Sequence, residues 1–126
     1  MNPEDAAEIY LRYYHEKKAE DSWILEKVDV ATNSNIDEAW EITRAVIEKA
    51  SSNEALAYVA AGPLENLLQM HGPAVIDRVE REAEKSEKFQ LALSGVWGLE
   101  PGTPVFEWWY ALMWKHGFAE GKRAPL

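Results

Sequence analysis

The chain has 126 residues, a formal net charge of −9 and no cysteine. That length fits one domain with enough chain to bury a core without covalent staples. The missing thiols exclude disulfides, zinc–thiolate sites and cysteine nucleophiles, and the acidic balance argues against sequence-independent DNA or RNA binding, which needs clustered Lys and Arg.

Asn2-Pro3-Glu4-Asp5 predicts a helix start, with Asn as N-cap, Pro at the first position and acids in the first turn. Ala6, Ile9, Tyr10 and Tyr13 follow at helical spacing, and Tyr14 and His15 widen that face before the charged Glu16-Lys17-Lys18. A second helix is expected from Asp21 or Ser22, carrying Trp23, Ile24, Leu25 and Val28 and fading past Ala31. Thr32 to Asn35 reads as a polar turn. Asn35 with Glu38 approximates a capping pair for a third helix, on which Ile36, Ala39, Trp40, Thr43, Val46 and Ile47 hold one face.

Ser51 with Glu54 reads as another capping box. It opens Ala55 to Ala61, apolar on every side and so expected as a buried helix that Gly62 ends. Gly62-Pro63 and Gly72-Pro73 each read as a tight corner. Glycine reaches positive φ just past a helix end, and proline suits the first turn of the next helix. Between the corners lies a predicted helix of two to three turns over Leu64, Leu67, Leu68 and His71. Gly62, Pro63, Leu64, Glu65, Leu67, Leu68, Gly72 and Pro73 thus form a structural joint, and Gly62→Val is expected to unfold the chain through strain at positive φ.

Beyond the joint, Val75, Ile76, Val79 and Ala83 form a stripe on a charged helix. Ser86 is expected to cap the next helix, with Phe89, Ala92, Leu93, Val96 and Trp97 facing inward. Gly98 to Gly102 is a loop. Thr103-Pro104 starts the last helix, Gly117 ends it, and 118–126 is expected as a frayed tail. No run alternates as a strand does. The prediction is therefore all-α: one domain over 1–126, with seven to eight short helices in a compact bundle or a short irregular α-solenoid. No apolar run approaches the ~20 residues that span a bilayer. The N-terminus is acidic where a signal peptide would be basic and then apolar. A cytoplasmic protein with no membrane partner is the expectation.

Ala61-Gly62-Pro63-Leu64-Glu65-Asn66-Leu67-Leu68 resembles the hallmark of an uncharacterised bacterial family of small helical proteins. The resemblance takes in Trp40 upstream and continues through His71-Gly72, the Ile76 to Glu84 helix and Phe89 to Leu93. It covers about residues 36–97 and implies no particular activity or ligand.

Glu65, Asn66 and His71 are the one cluster that suggests acid–base chemistry. Six residues separate Glu65 from His71, about 240° around a helix axis, so the two diverge. A carboxylate in a first turn and an imidazole in a last turn are each accounted for by the helix dipole. His15, His71 and His116 are isolated and form no metal-ligand pair. No catalytic residue, metal or cofactor is assigned.

Two features point instead to a protein partner. Phe106, Trp108, Trp109 and Trp114 exceed what one buried stripe holds, and form either a wide core face or a partner surface. The chain carries thirteen acids against six bases up to Ala60, and nine against seven beyond it. These early acids are either solvated helix faces or a surface for a basic partner. The leading expectation is a non-enzymatic acidic interaction module, binding itself or a basic macromolecule, with an immunity or inhibitor-type protein as its sharper form. The alternative is a small-molecule-binding helical domain or minor enzyme, with a pocket near Glu65 and the late aromatics.

Overall fold

Side-chain caps start most of the helices in the computed structural model, which describes residues 1–126. The Asn2 Oδ1 accepts the Asp5 N–H at 2.8 Å and opens α1 (Pro3–Glu16). A short 3-10 turn, Ala19–Asp21, leads to α2 (Trp23–Ser34), which runs past the expected end at Ala31. Asn35 caps α3 (Ile36–Lys49) through the Glu38 N–H at 3.1 Å. Ser52 caps α4 (Asn53–Val59), one residue beyond the expected Ser51, by accepting the Ala55 N–H.

The two Gly-Pro corners are corrected by the structure. α4 passes through one wide π-turn, Ala60–Leu64, into α5 (Glu65–Lys85) without a break. Pro63 has no N–H for the carbonyl four residues back, and widening one turn lets the next residue's N–H serve it. Gly62 lies inside this turn, and the positive-φ glycines are Gly102, Gly117 and Gly121. The strain expected at Gly62 therefore has no basis. At the second pair, His71 leaves helical geometry (φ −134°, ψ 24°) and α5 kinks there instead of stopping. Proline near a helix interior accounts for such a kink. The chain thus has six continuous helical stretches and not seven to eight.

Ser86 caps α6 (Glu87–Leu93), and Thr103 caps α7 (Pro104–Lys115). The architecture is an all-helical bundle with α3 at its centre, packed against α1, α2, α4, α5 and α6. Trp40, Ile42, Val46 and Ile47 of α3 are buried with Leu64, Leu68, Val79 and Phe89 in one core. α4 is not apolar all round in its setting: Ala55, Leu56, Val59 and Ala60 are buried, while Ala57 and Ala61 face outward. Alanine costs little to expose, so its clustering is a weak sign of burial. Residues 118–126, expected to fray, turn back over the bundle. Phe118 is buried, the Arg123 guanidinium sits 4.4 Å from its ring centroid, and the Leu126 N–H donates to the Ser94 Oγ at 2.8 Å. No helix is long and apolar enough to cross a membrane.

The turn between α1 and α2 is fastened by a two-pronged ion pair. Arg12 Nε and Nη2 donate to the two oxygens of buried Asp21, each at 2.8 Å. The hydrogen bonds from Arg12 hold the Asp21 carboxyl below its ordinary range. A carboxylate with a depressed folded pKa adds stability above its unfolded pKa, about 3.9, and loses it as pH falls through the folded value. Arg12→Gln should lower the melting temperature at neutral pH. The gap from wild type should close progressively below about pH 4, as followed by circular dichroism melts.

Gly72 and Gly62 should part company on substitution. A Cβ on Gly72 would lie 2.9 Å from Val105 Cγ2 of α7, whereas one on Gly62 meets only the Tyr10 hydroxyl at 3.6 Å. Gly72→Ala should cost about 1–3 kcal/mol by overpacking. Gly62→Ala should stay within about 1 kcal/mol of wild type, the scale of the helical Gly–Ala difference. Urea unfolding of both variants measures the contrast.

Candidate functional site

Glu65 and Gln69 stand one turn apart at the start of α5 and grip the same residue. Glu65 Oε1 accepts the Gly98 N–H at 2.7 Å, and Gln69 Nε2 donates to the Gly98 carbonyl at 2.8 Å. Glycine at 98 permits this approach, since a Cβ there would meet the Glu65 carboxylate and push that side chain out of the clamp. The clamp fixes the segment between α6 and α7, on which Leu99 is buried while Trp97 stands 71% exposed. Glu65 is therefore occupied with positioning a backbone.

His71 has a different task. Its Nε2 lies 2.7 Å from the Thr32 carbonyl, and since a carbonyl accepts, this nitrogen donates to an otherwise unserved group in the last turn of α2. Glu65 and His71 thus hold separate elements, as their helical spacing predicts, and Asn66 is exposed between them. His15 packs edge-on to Tyr14. His116 Nε2 is buried without a partner, and burial lowers the pKa of that ring. No group of three or more His, Asp or Glu side chains is arranged to hold a metal ion.

The late aromatics form a cleft. α7 buries only Leu112 and Met113 fully. Phe106, Trp108 and Trp109 are half-buried, and Trp114 is 44% exposed. Trp108 donates its indole N–H to Glu80 and Trp109 donates its own to the Leu93 carbonyl, which ties α7 to α5 and α6. Phe106, Tyr110 and Trp114 make a ladder along α7, with ring centroids 6.0 and 6.3 Å apart. Beside it opens an apolar cleft of about 330 Å³, walled by Trp97, Leu99, Phe106, Trp109, Tyr110 and Phe118.

Sequence reasoning placed Trp97 inside with α6. The helix ends at Leu93, and Gly95 and Gly98 on either side of Trp97 were the signal that a helical face no longer applied. Tyr110 was also missed as a surface residue, although 106, 110 and 114 share one stripe at spacing four. The early acids are mostly paired. Glu4 and Glu8 meet Lys49, Asp37 meets Arg78, Glu38 meets Lys27, and Glu41 meets Arg44.

Glu65→Ala removes a charge-assisted hydrogen bond and should cost about 1–3 kcal/mol. It should also speed Gly98 amide exchange and change the Trp97 environment. Hydrogen exchange and tryptophan emission read both effects; unchanged Gly98 protection would refute the clamp.

No curated protein and no solved structure is significantly similar to the chain. A family model described as a family of unknown function, DUF6869, matches residues 12–109. That span contains the whole of α2 to α6, the Glu65–Gly98 clamp and the first half of α7. The chain belongs to this family of unknown function.

Proposed function

We propose that this domain is a non-enzymatic interaction module that seats an apolar side chain of a basic protein partner in the aromatic cleft. The observation that carries the reading is the exposure of Trp97 and Tyr110 (44%) on the walls of an apolar cleft of about 330 Å³. Aromatic side chains of this kind dominate interface energetics, especially where a pocket takes a partner's anchor. Glu100 and Glu107 follow the cleft residues Leu99 and Phe106 in sequence, and both are exposed and outside any ion pair. With the net charge of −9, they favour a partner whose anchor is flanked by Lys or Arg. An immunity or inhibitor role toward a basic enzyme is the specific form of this function that the charge supports.

The cleft suits a protein anchor better than a small polar ligand. A small-molecule site needs a few free polar groups converging on an apolar pocket. Here the Ser94 hydroxyl already donates to the Leu91 carbonyl and accepts the Leu126 N–H, and the Trp109 indole is spent on Leu93, which leaves the Tyr110 hydroxyl and the Trp97 indole N–H on exposed side chains at the rim. The setting in this reading is a bacterial cytoplasm, in keeping with the resemblance at Ala61 to Leu68 and with a cysteine-free chain. It involves no cofactor and no direct nucleic-acid contact.

Selection of displayed peptides against the intact domain tests the reading. Enriched peptides should combine an aromatic or aliphatic anchor with flanking Lys or Arg, and should weaken as salt rises. Trp97→Ala and Tyr110→Ala should each weaken them about tenfold or more while leaving the melting temperature nearly unchanged. Peptides that lack basic residues, or that bind both variants undiminished, would overturn it.

A further inference from the structure

A second cleft, at the first Gly-Pro pair, shares no lining residue with the aromatic cleft and is lined by different chemistry. It measures about 300 Å³ and lies where α1, α2, α4 and the π-turn meet, with Tyr10, Asp29, Tyr58, Gly62, Pro63 and Asn66 among its walls. We propose that this cleft binds one small organic ammonium ion, with the amine directed to Asp29 and the carbon skeleton against the two tyrosines.

Tyr10 is the first support. The residue is only 3% exposed, yet its hydroxyl makes no hydrogen bond within the chain and stands 3.6 Å from where a Gly62 Cβ would be. The ring is buried but the hydroxyl is not among the sealed, unpartnered polar atoms, so it opens onto the cleft and is free to bond an occupant. Burial raises the Tyr10 pKa, so this hydroxyl is a neutral donor and acceptor at physiological pH. The Tyr58 hydroxyl, the Asn66 amide and the Asp29 carboxylate likewise have no side-chain partner, and Asp29 is in no ion pair. Four groups of hydrogen-bonding capacity therefore share one concavity, which the other cleft lacks.

The sign of the ligand follows from the walls. Asp29 is the one charged residue among them, so an anion is repelled. The Tyr10 and Tyr58 rings pack with centroids 5.7 Å apart and planes tilted by 50°, and both residues line the cleft. The Lys17 ammonium lies 5.1 Å from the Tyr58 centroid and also over Tyr13 and Tyr14, so a ligand cation is held by Asp29, away from the ring face that Lys17 covers. Lys17 itself is not part of the cleft wall. Aromatic faces with a carboxylate are the recurring setting for ammonium recognition. The volume is at the lower end for ligand sites and limits the occupant to a small molecule. Gly62 keeps the wall open, and the wide turn around it matches the tendency of π-bulges to occur at functional positions.

The site is independent of the aromatic cleft, and its test is separate. Amide NMR spectra of the full chain are titrated with benzylamine, a cation at neutral pH, with benzyl alcohol as the neutral isostere and with benzoate as the anion. Benzylamine should give saturable shifts centred on Asp29, Tyr58, Gly62 and Asn66, with Kd about 1 mM or tighter. Benzyl alcohol should bind about tenfold more weakly, and benzoate should leave these amides unmoved. Asp29→Asn should reduce benzylamine affinity to that of the alcohol without altering the melting temperature, since Asp29 is exposed. Gly62→Ala should weaken both by narrowing the cleft. Three results would each overturn the proposal: equal affinity for all three probes, full binding by Asp29→Asn, or non-saturating shifts at acidic residues across the surface.

Discussion

The missing N–H of Pro63 sets the register of the middle of the chain. From Asn53 to Lys85 one helix must pass this residue, and it does so by widening a single turn. The buried positions along it fall at 55 and 56, 59 and 60, 63 and 64, 67 and 68. A strict spacing of four drifts about 40° per step on a regular α-helix, or about 120° by the last pair. One extra residue in one turn takes out about 100° of that drift. The π-turn therefore keeps Leu56, Val59, Leu64 and Leu68 on the same core. It also sends Glu65 and Gln69 toward Gly98 and leaves Gly62 and Asn66 facing the tyrosines.

That spacing also marks what the sequence could have disclosed about the joint. The caps were legible because each is a local interaction: Asn2, Asn35, Ser86 and Thr103 all accept the backbone N–H three residues on. The Gly-Pro pairs were misread because the same dipeptide serves a corner and a bulge, and only the period of the flanking apolar residues separates them. A period of 3.6 on both sides would have suited two helices; a period of four across the proline called for one. The start of α4 shows the same limit at smaller scale, since Ser51 and Ser52 are equally good caps by type and the second takes the role.

The candidate site was less legible than the fold for a similar reason. Phe106, Trp109 and Trp114 were visible as an excess of aromatics over one helical face, but the cleft needs Trp97 as its far wall. Trp97 is placed by its neighbour Gly98, whose N–H donates to Glu65, 33 residues before Gly98 in the chain. No local pattern carries such a contact. The dipole explanation of Glu65 was sufficient from sequence and incomplete in the structure, where the same carboxylate reaches across to hold a loop. The tyrosine cleft is similar: Tyr10, Asp29 and Tyr58 come from three helices, and only the packing of α1 and α2 against the π-turn brings them to one concavity.

The kink at His71 divides α5 into two levers. The Trp97 wall hangs from Glu65 and Gln69 on the near side, whereas α7 is tied to the far side through Gly72 against Val105, Glu80 to Trp108 and Glu84 to Lys115. The two walls of the aromatic cleft are thus mounted on opposite arms of one bent helix. The bend is held where it occurs by the His71 bond to the end of α2. Leu68 before the kink and Val79 after it share one core with α3, so the packing that fixes the bend also fixes the spacing of the two walls.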